Sequence, residues 1–207
     1  MNSSDAVERA TPTGEARTPA ARIVTWRGYD APRLEQVRYL LTERKARASG
    51  RIVAAGPDEQ FSASFEVSVG ETGAVTRLLL RTATVSEERQ ISVSRSSEGV
   101  WLVDSGSGAE RADFDGALDV DVQSAVLFNA IPIRRLGLHR EPGEHVLPVV
   151  YVSLPDLEVR LLRQAYRTVS VGEDRSVVAY ESGDYRQDIT VDRDGLVLDY
   201  PGVAHRI

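Results

Sequence analysis

Residues 61–69, FSASFEVSV, decide the fold. Phe61, Ala63, Phe65, Val67 and Val69 alternate with Ser62, Ser64, Glu66 and Ser68, and a period of two sets all five apolar side chains on one face of a strand. Such a strand is half-buried, as in an antiparallel sheet with one wet face. Residues 75–85, 89–94 and 100–103 continue in the same manner. The turn clusters 70–73 and 96–99 separate them, so the region reads as a meander. Further on, Leu118, Val120 and Val122 alternate with Asp119 and Asp121, which predicts an apolar face backed by a face carrying two carboxylates. Residues 145–154 are apolar at nearly every position and predict a strand covered on both faces. Arg193-Asp194-Gly195 predicts a hairpin turn between residues 188–192 and 196–200, with Gly195 free to take a positive φ. Two stretches stay open. In residues 34–47, Leu34, Val37, Leu40 and Leu41 fit a helical face while Val37, Tyr39 and Leu41 fit a strand; in residues 157–167 an alternation starts and then breaks.

Composition narrows the class. The 207 residues allow one large β domain, expected over residues 21–207. Residues 1–20 hold Val7 as their only sizeable aliphatic side chain and predict a disordered tail. A net charge of -6, with basic residues interspersed among acidic ones, argues against nucleic acid or an anionic membrane surface as partner. The absence of cysteine excludes disulfides, thiolate metal sites and cysteine nucleophiles. No basic, then apolar, export signal opens the sequence, and no stretch has the roughly 18 apolar residues that span a bilayer. A cytoplasmic address without stable membrane insertion is the expectation.

Motifs for chemistry are scarce. His139, His145 and His205 are dispersed and lack metal-site spacing. Asp113, Asp115, Asp119 and Asp121 have Ala117 where a calcium loop needs an oxygen ligand, and no Glu closes the loop. Ser105-Gly-Ser-Gly108 matches neither a phosphate loop nor a nucleophile elbow and reads as a hairpin loop. No cofactor, metal or catalytic residue is expected.

The informative stretch is Phe128-Asn-Ala-Ile-Pro-Ile-Arg-Arg-Leu136. On a strand, Arg134 and Arg135 point to opposite faces, so if one is solvated the other enters the interior and needs a partner, unless a bulge intervenes. That partner is either a carboxylate such as Asp119 or Asp121, in a structural ion pair, or the polar head of a ligand. Gln164, Tyr166 and Tyr180 join a flat or apolar body to a polar tip, which suits sugar contact as well as core anchoring.

Asn129–Leu136 (NAIPIRRL), Gln164–Arg167 (QAYR) and Thr190–Gly202 (TVDRDGLVLDYPG), in this order, with Trp26-Arg27 near the start, resemble the bacterial putative glycolipid-binding protein family. Ala130 and Ile131 stand where that family's pattern carries Thr and Leu. The resemblance implies an all-β fold, a single strongly curved antiparallel sheet forming a split or partial barrel, similar to bacterial lipoprotein and glycolipid carriers. It also implies a strand over residues 34–41. Asp194, Gly195, Pro201 and Gly202 are turn formers. Asn129, Arg134, Arg135, Gln164, Tyr166 and Tyr180 are the candidates for the polar end of a cavity.

The leading expectation is a non-enzymatic binder or carrier that holds a glycolipid or other amphiphile against the concave face. Two readings stand beside it. One is an enzyme acting on a small amphiphile, with Asp119 or Asp121 as base; the other is an interaction protein pairing through its sheet edges.

Overall fold

The computed structural model describes residues 20–29, 32–41, 45–57 and 60–207. The tail expected over residues 1–20 lies, apart from Ala20, outside the described residues. Eight strands come first: β1 (Ala20–Gly28), β2 (Arg33–Leu41), β3 (Ala46–Ala55), β4 (Gln60–Val69), β5 (Val75–Ala83), β6 (Glu88–Arg95), β7 (Trp101–Asp104) and β8 (Ala109–Ala112). Then follow β9 (Asp119–Val122) and one helix, α1 (Leu127–Arg135). The chain ends with β10 (Glu144–Val152), β11 (Val159–Ser170), β12 (Arg175–Ser182), β13 (Tyr185–Asp192), β14 (Val197–Tyr200) and β15 (Ala204–Arg206).

All fifteen strands form one curved sheet, in the order β8-β7-β6-β5-β4-β3-β2-β1-β15-β14-β13-β12-β11-β10-β9. Every pairing is antiparallel except that of β9 with β10. Of the two open stretches, residues 34–41 belong to β2 and residues 46–47 to β3, with 42–44 outside the described residues, and residues 159–167 belong to β11. The hairpin at Asp192–Leu196 forms as expected, with Gly195 at φ 77°.

The connectivity forces the curvature. β8 and β9 are opposite edges of the sheet, yet only residues 113–118 join them. A flat sheet of this many strands would hold its edges roughly 65 Å apart at about 4.8 Å per strand. Six linking residues span at most about 25 Å. The sheet therefore curls until its ends approach, and Val75 at the start of β5 donates to the Leu118 carbonyl beside β9 at 2.8 Å. It does not close into a barrel.

The inner face collects the apolar sets read from the sequence: Phe61, Ala63, Phe65 and Val67 on β4, Val37 and Tyr39 on β2, Leu78 and Leu80 on β5, all buried. Trp26 and Trp101 lie there too, each indole N–H satisfied by a backbone carbonyl, of Val197 and Ala117 respectively.

The concave side is not hollow. The stretch 128–136, read above as strand, is mostly α1, and all seven residues from Leu127 to Ile133 are buried. A helix buried all round has no wet face to show as a periodic stripe, and Pro132 within it argues against helix locally. Burial and an acceptor supplied from across the fold outweigh the local preference. Phe128 of α1 packs on Phe65 at 5.2 Å between ring centroids. Gly50, paired with Phe65 across β3 and β4, lies against the same ring, and a Cβ there would come within 2.2 Å of Cζ. Thus the sheet wraps a helix, and the space expected for acyl chains is largely taken by Leu127, Phe128, Ile131 and Ile133.

Two strand expectations also change. On β9 both faces are buried, because the edge strand is covered by α1 on one side of its curl, so Asp119 and Asp121 are inside rather than on a wet face. On β10, burial on both faces holds only from Val149 onward, and Val146 is 63% exposed.

Candidate functional site

Polar groups at the end of α1 nearest β9 form a connected set. The Gln164 amide donates to Asp121 at 2.6 Å, the Tyr166 hydroxyl donates to the Gln164 carbonyl oxygen at 3.1 Å, and the Asn129 amide donates to the Tyr166 hydroxyl at 3.2 Å. All four residues are buried. The chain of bonds ties α1, β9 and β11 together, and each buried polar group gains the partner its burial demands. Alternation on β11 explains why Gln164 and Tyr166 share a face, and the register with β12 sets Tyr180 directly opposite Tyr166, ring centroids 5.2 Å apart.

Beside this network a cleft of about 380 Å³ opens between the β9–α1 connection and the strands β10–β14. Asp121 stands at its floor, Tyr151, Tyr180, Tyr185 and Tyr200 wall it, and Arg160 is at its edge. The Arg160 guanidinium lies over the Tyr151 ring at 4.9 Å. Burial pushes the Asp121 carboxyl up to about 6, against the pull of the Gln164 amide and the Val122 backbone N–H. Burial also raises the phenols of Tyr166, Tyr180 and Tyr200, and the Asp121 charge adds to this, so they remain neutral donors at physiological pH.

A second buried carboxylate sits close by. Glu35 on β2 is 1% exposed and reaches across the inner face to the start of α1, where it accepts the backbone N–H of Val126 at 2.6 Å and that of Leu127 at 3.2 Å. Val126 offers no side-chain cap of its own, so Glu35 caps the helix from another strand. Burial pushes its carboxyl up to about 7; the two backbone donors and Arg33 oppose this, and the nearby Asp121 charge adds to it. Period-two reading of Glu35-Gln-Val-Arg-Tyr39 places Glu35 on the face of Val37 and Tyr39, and that is the signal by which it could have been found.

Of the six residues proposed from sequence, four meet here. Asn129 and Tyr180 line the cleft, with Gln164 and Tyr166 behind its wall. Arg134 and Arg135 do not join them: they line a separate hollow of about 220 Å³ with Tyr39 and Ile131. Helical geometry turns successive side chains by about 100° rather than 180°, so both arginines are half-buried instead of one in and one out. Arg135 makes a two-pronged pair with Asp119, Nη2 at 2.5 Å and Nε at 3.2 Å. Arg134 donates to the Asp194 carbonyl and lies over the Tyr39 ring. Burial pushes Asp119 up, against the pull of Arg135. Tyr151, Arg160 and Tyr185 escaped the sequence reading, because no local pattern distinguishes a strand tyrosine that faces a cleft from one that faces solvent.

Fold and site together define a class: an open, strongly curved antiparallel sheet wrapped on one helix, with a tyrosine-walled polar cleft at the helix start. The chain belongs to the family described as "Putative glycolipid-binding", whose model matches residues 23–206. It is similar to the crystal structure of a DUF1089-family protein from Pseudomonas aeruginosa, at 24% identity and a TM-score of 0.66 over 97% of this chain and 100% of that one. A β-barrel-like DUF1849 protein from Brucella abortus aligns at 11% identity and a TM-score of 0.47 over 91% and 94% of the two chains. No curated protein matches the sequence. Among the described residues no helix is long and apolar enough to cross a membrane.

Proposed function

We propose that the protein binds the hydroxyl-bearing head of a glycolipid or similar amphiphile in the tyrosine-walled cleft and does no chemistry on it. The observation that carries this reading is the Asp121–Gln164–Tyr166–Asn129 chain, which ends in a carboxylate at the floor of a cleft whose walls are aromatic. Carboxylates accept bonds from sugar hydroxyls, and aromatic rings give flat apolar surface with polar tips. Small-molecule sites run from about 300 to 1,000 Å³. At about 380 Å³ the cleft fits a head group and not a head with its acyl chains. With α1 filling the concave side, the chains remain outside the sheet. The family's description supports the ligand class.

Octyl glucoside, kept below its micelle-forming concentration, tests the reading by calorimetric titration. Saturable binding is expected, weakened about tenfold in Tyr185→Ala by loss of one aromatic contact. Tyr185 is 42% exposed, so its loss spares the core. Absence of saturable binding, or equal affinity in the variant, refutes the assignment.

A further inference from the structure

The charge pattern around the cleft says more about the head group. Asp121 lines the cleft, and Glu35, buried and bonded to the Val126 N–H that lies beside the cleft, is close enough to act on it. The hydrogen bonds they accept come from an amide side chain and from backbone N–H groups. Among the described residues, Arg33 acts on Glu35 through space and donates to the Val203 carbonyl, and Arg160 lines the cleft and lies over Tyr151. A buried carboxylate without a cation bound to it gains from a ligand that brings one.

The rings add to this. Tyr180, Tyr185 and Tyr200 form a triangle with centroid separations of 6.2, 6.0 and 6.3 Å, and their planes are inclined to one another by 64°, 74° and 54°. Edge-to-face packing holds the three phenols together where they line the cleft, and an aromatic face left open to that cleft attracts a cation. Beside these rings and Asp121 an ammonium meets favourable potential, whereas a phosphate or sulfate is favoured only at Arg160, on the Tyr151 side of the cleft.

We propose that the cleft selects head groups carrying a protonated amine, held over the Tyr180–Tyr185–Tyr200 rings with Asp121 as counter-ion. The inference rests on the head-group reading above and narrows it to amino-sugar or alkylammonium heads, against neutral or anionic ones.

Calorimetric titration with glucosamine and with N-acetylglucosamine at pH 6.5 tests it, since the two share a ring and differ in the amine charge. Glucosamine is expected to bind about tenfold more tightly, and Asp121→Asn to bring the ratio near one. Choline against 3,3-dimethyl-1-butanol, a neutral molecule of the same shape, repeats the comparison on the unaltered protein and needs no variant to fold. Equal binding of charged and neutral members of both pairs overturns the inference while leaving the head-group reading intact if octyl glucoside binds. Failure of all four probes and of octyl glucoside overturns both. Retention of the preference in Asp121→Asn overturns the role of Asp121 as counter-ion.

Discussion

Replacing Glu35 by Gln exposes the energetic balance of the interior. Glu35 is a carboxylate held in the core by two backbone N–H donors at the start of α1. Its pKa is about 7 in the folded protein against 4.5 for an ordinary glutamate. Because the folded pKa is the higher, the folded protein takes up the proton more readily. The stabilising contribution is fully present below pH 4.5 and is lost as pH rises through 7. At about 1.36 kcal/mol per pH unit the whole swing is about 3 kcal/mol, of which about 2 kcal/mol falls between pH 5.5 and pH 8.5. Glu35→Gln is neutral throughout and keeps an acceptor oxygen for one of the two N–H groups. Asp121 titrates with the same sign and is present in both proteins, so the difference between them isolates Glu35 and its coupling to Asp121. Urea unfolding of both at pH 5.5 and 8.5 reads it. The expected result is that Glu35→Gln gains about 2 kcal/mol relative to the parent on going to the higher pH. A difference that is flat in pH, or that moves the other way, would show that the charge-assisted cap outweighs desolvation and would refute the reasoning.

Two further outcomes follow from packing. Gly50→Ala forces the Phe65 ring off its seat against Phe128, since the new methyl would lie 2.2 Å from Cζ; the expected loss is about 1–3 kcal/mol, read from thermal melting, and an unchanged melting temperature contradicts the contact. Asp119→Ala strands the Arg135 guanidinium, 12% exposed, and is expected to cost about 3–5 kcal/mol, most of it recovered in Asp119→Leu/Arg135→Met; equal stability of single and double variants in urea would mean the pair is not coupled.

What the sequence determined by itself is what a local period can encode. The alternation of Phe61, Ala63, Phe65 and Val67 names the buried face of β4 without knowledge of any other strand, because a strand shows its two faces in every second residue. The turn at Arg193-Asp194-Gly195 is equally local, since a positive φ is a property of one glycine. Asn129, Gln164, Tyr166 and Tyr180 carry polar tips that burial must satisfy, and that chemistry is visible in the residue types. Tertiary structure decided the rest. The segment containing Arg134 and Arg135 became a helix because a carboxylate from β2, more than ninety positions earlier in the chain, caps it and a curved sheet buries its first seven residues. Asp119 and Asp121 moved from an expected wet face to the interior because the six-residue link from β8 to β9 obliges the sheet to curl onto itself. The cleft exists only where six strands and the start of that helix converge, and a period of two cannot report which strands will meet.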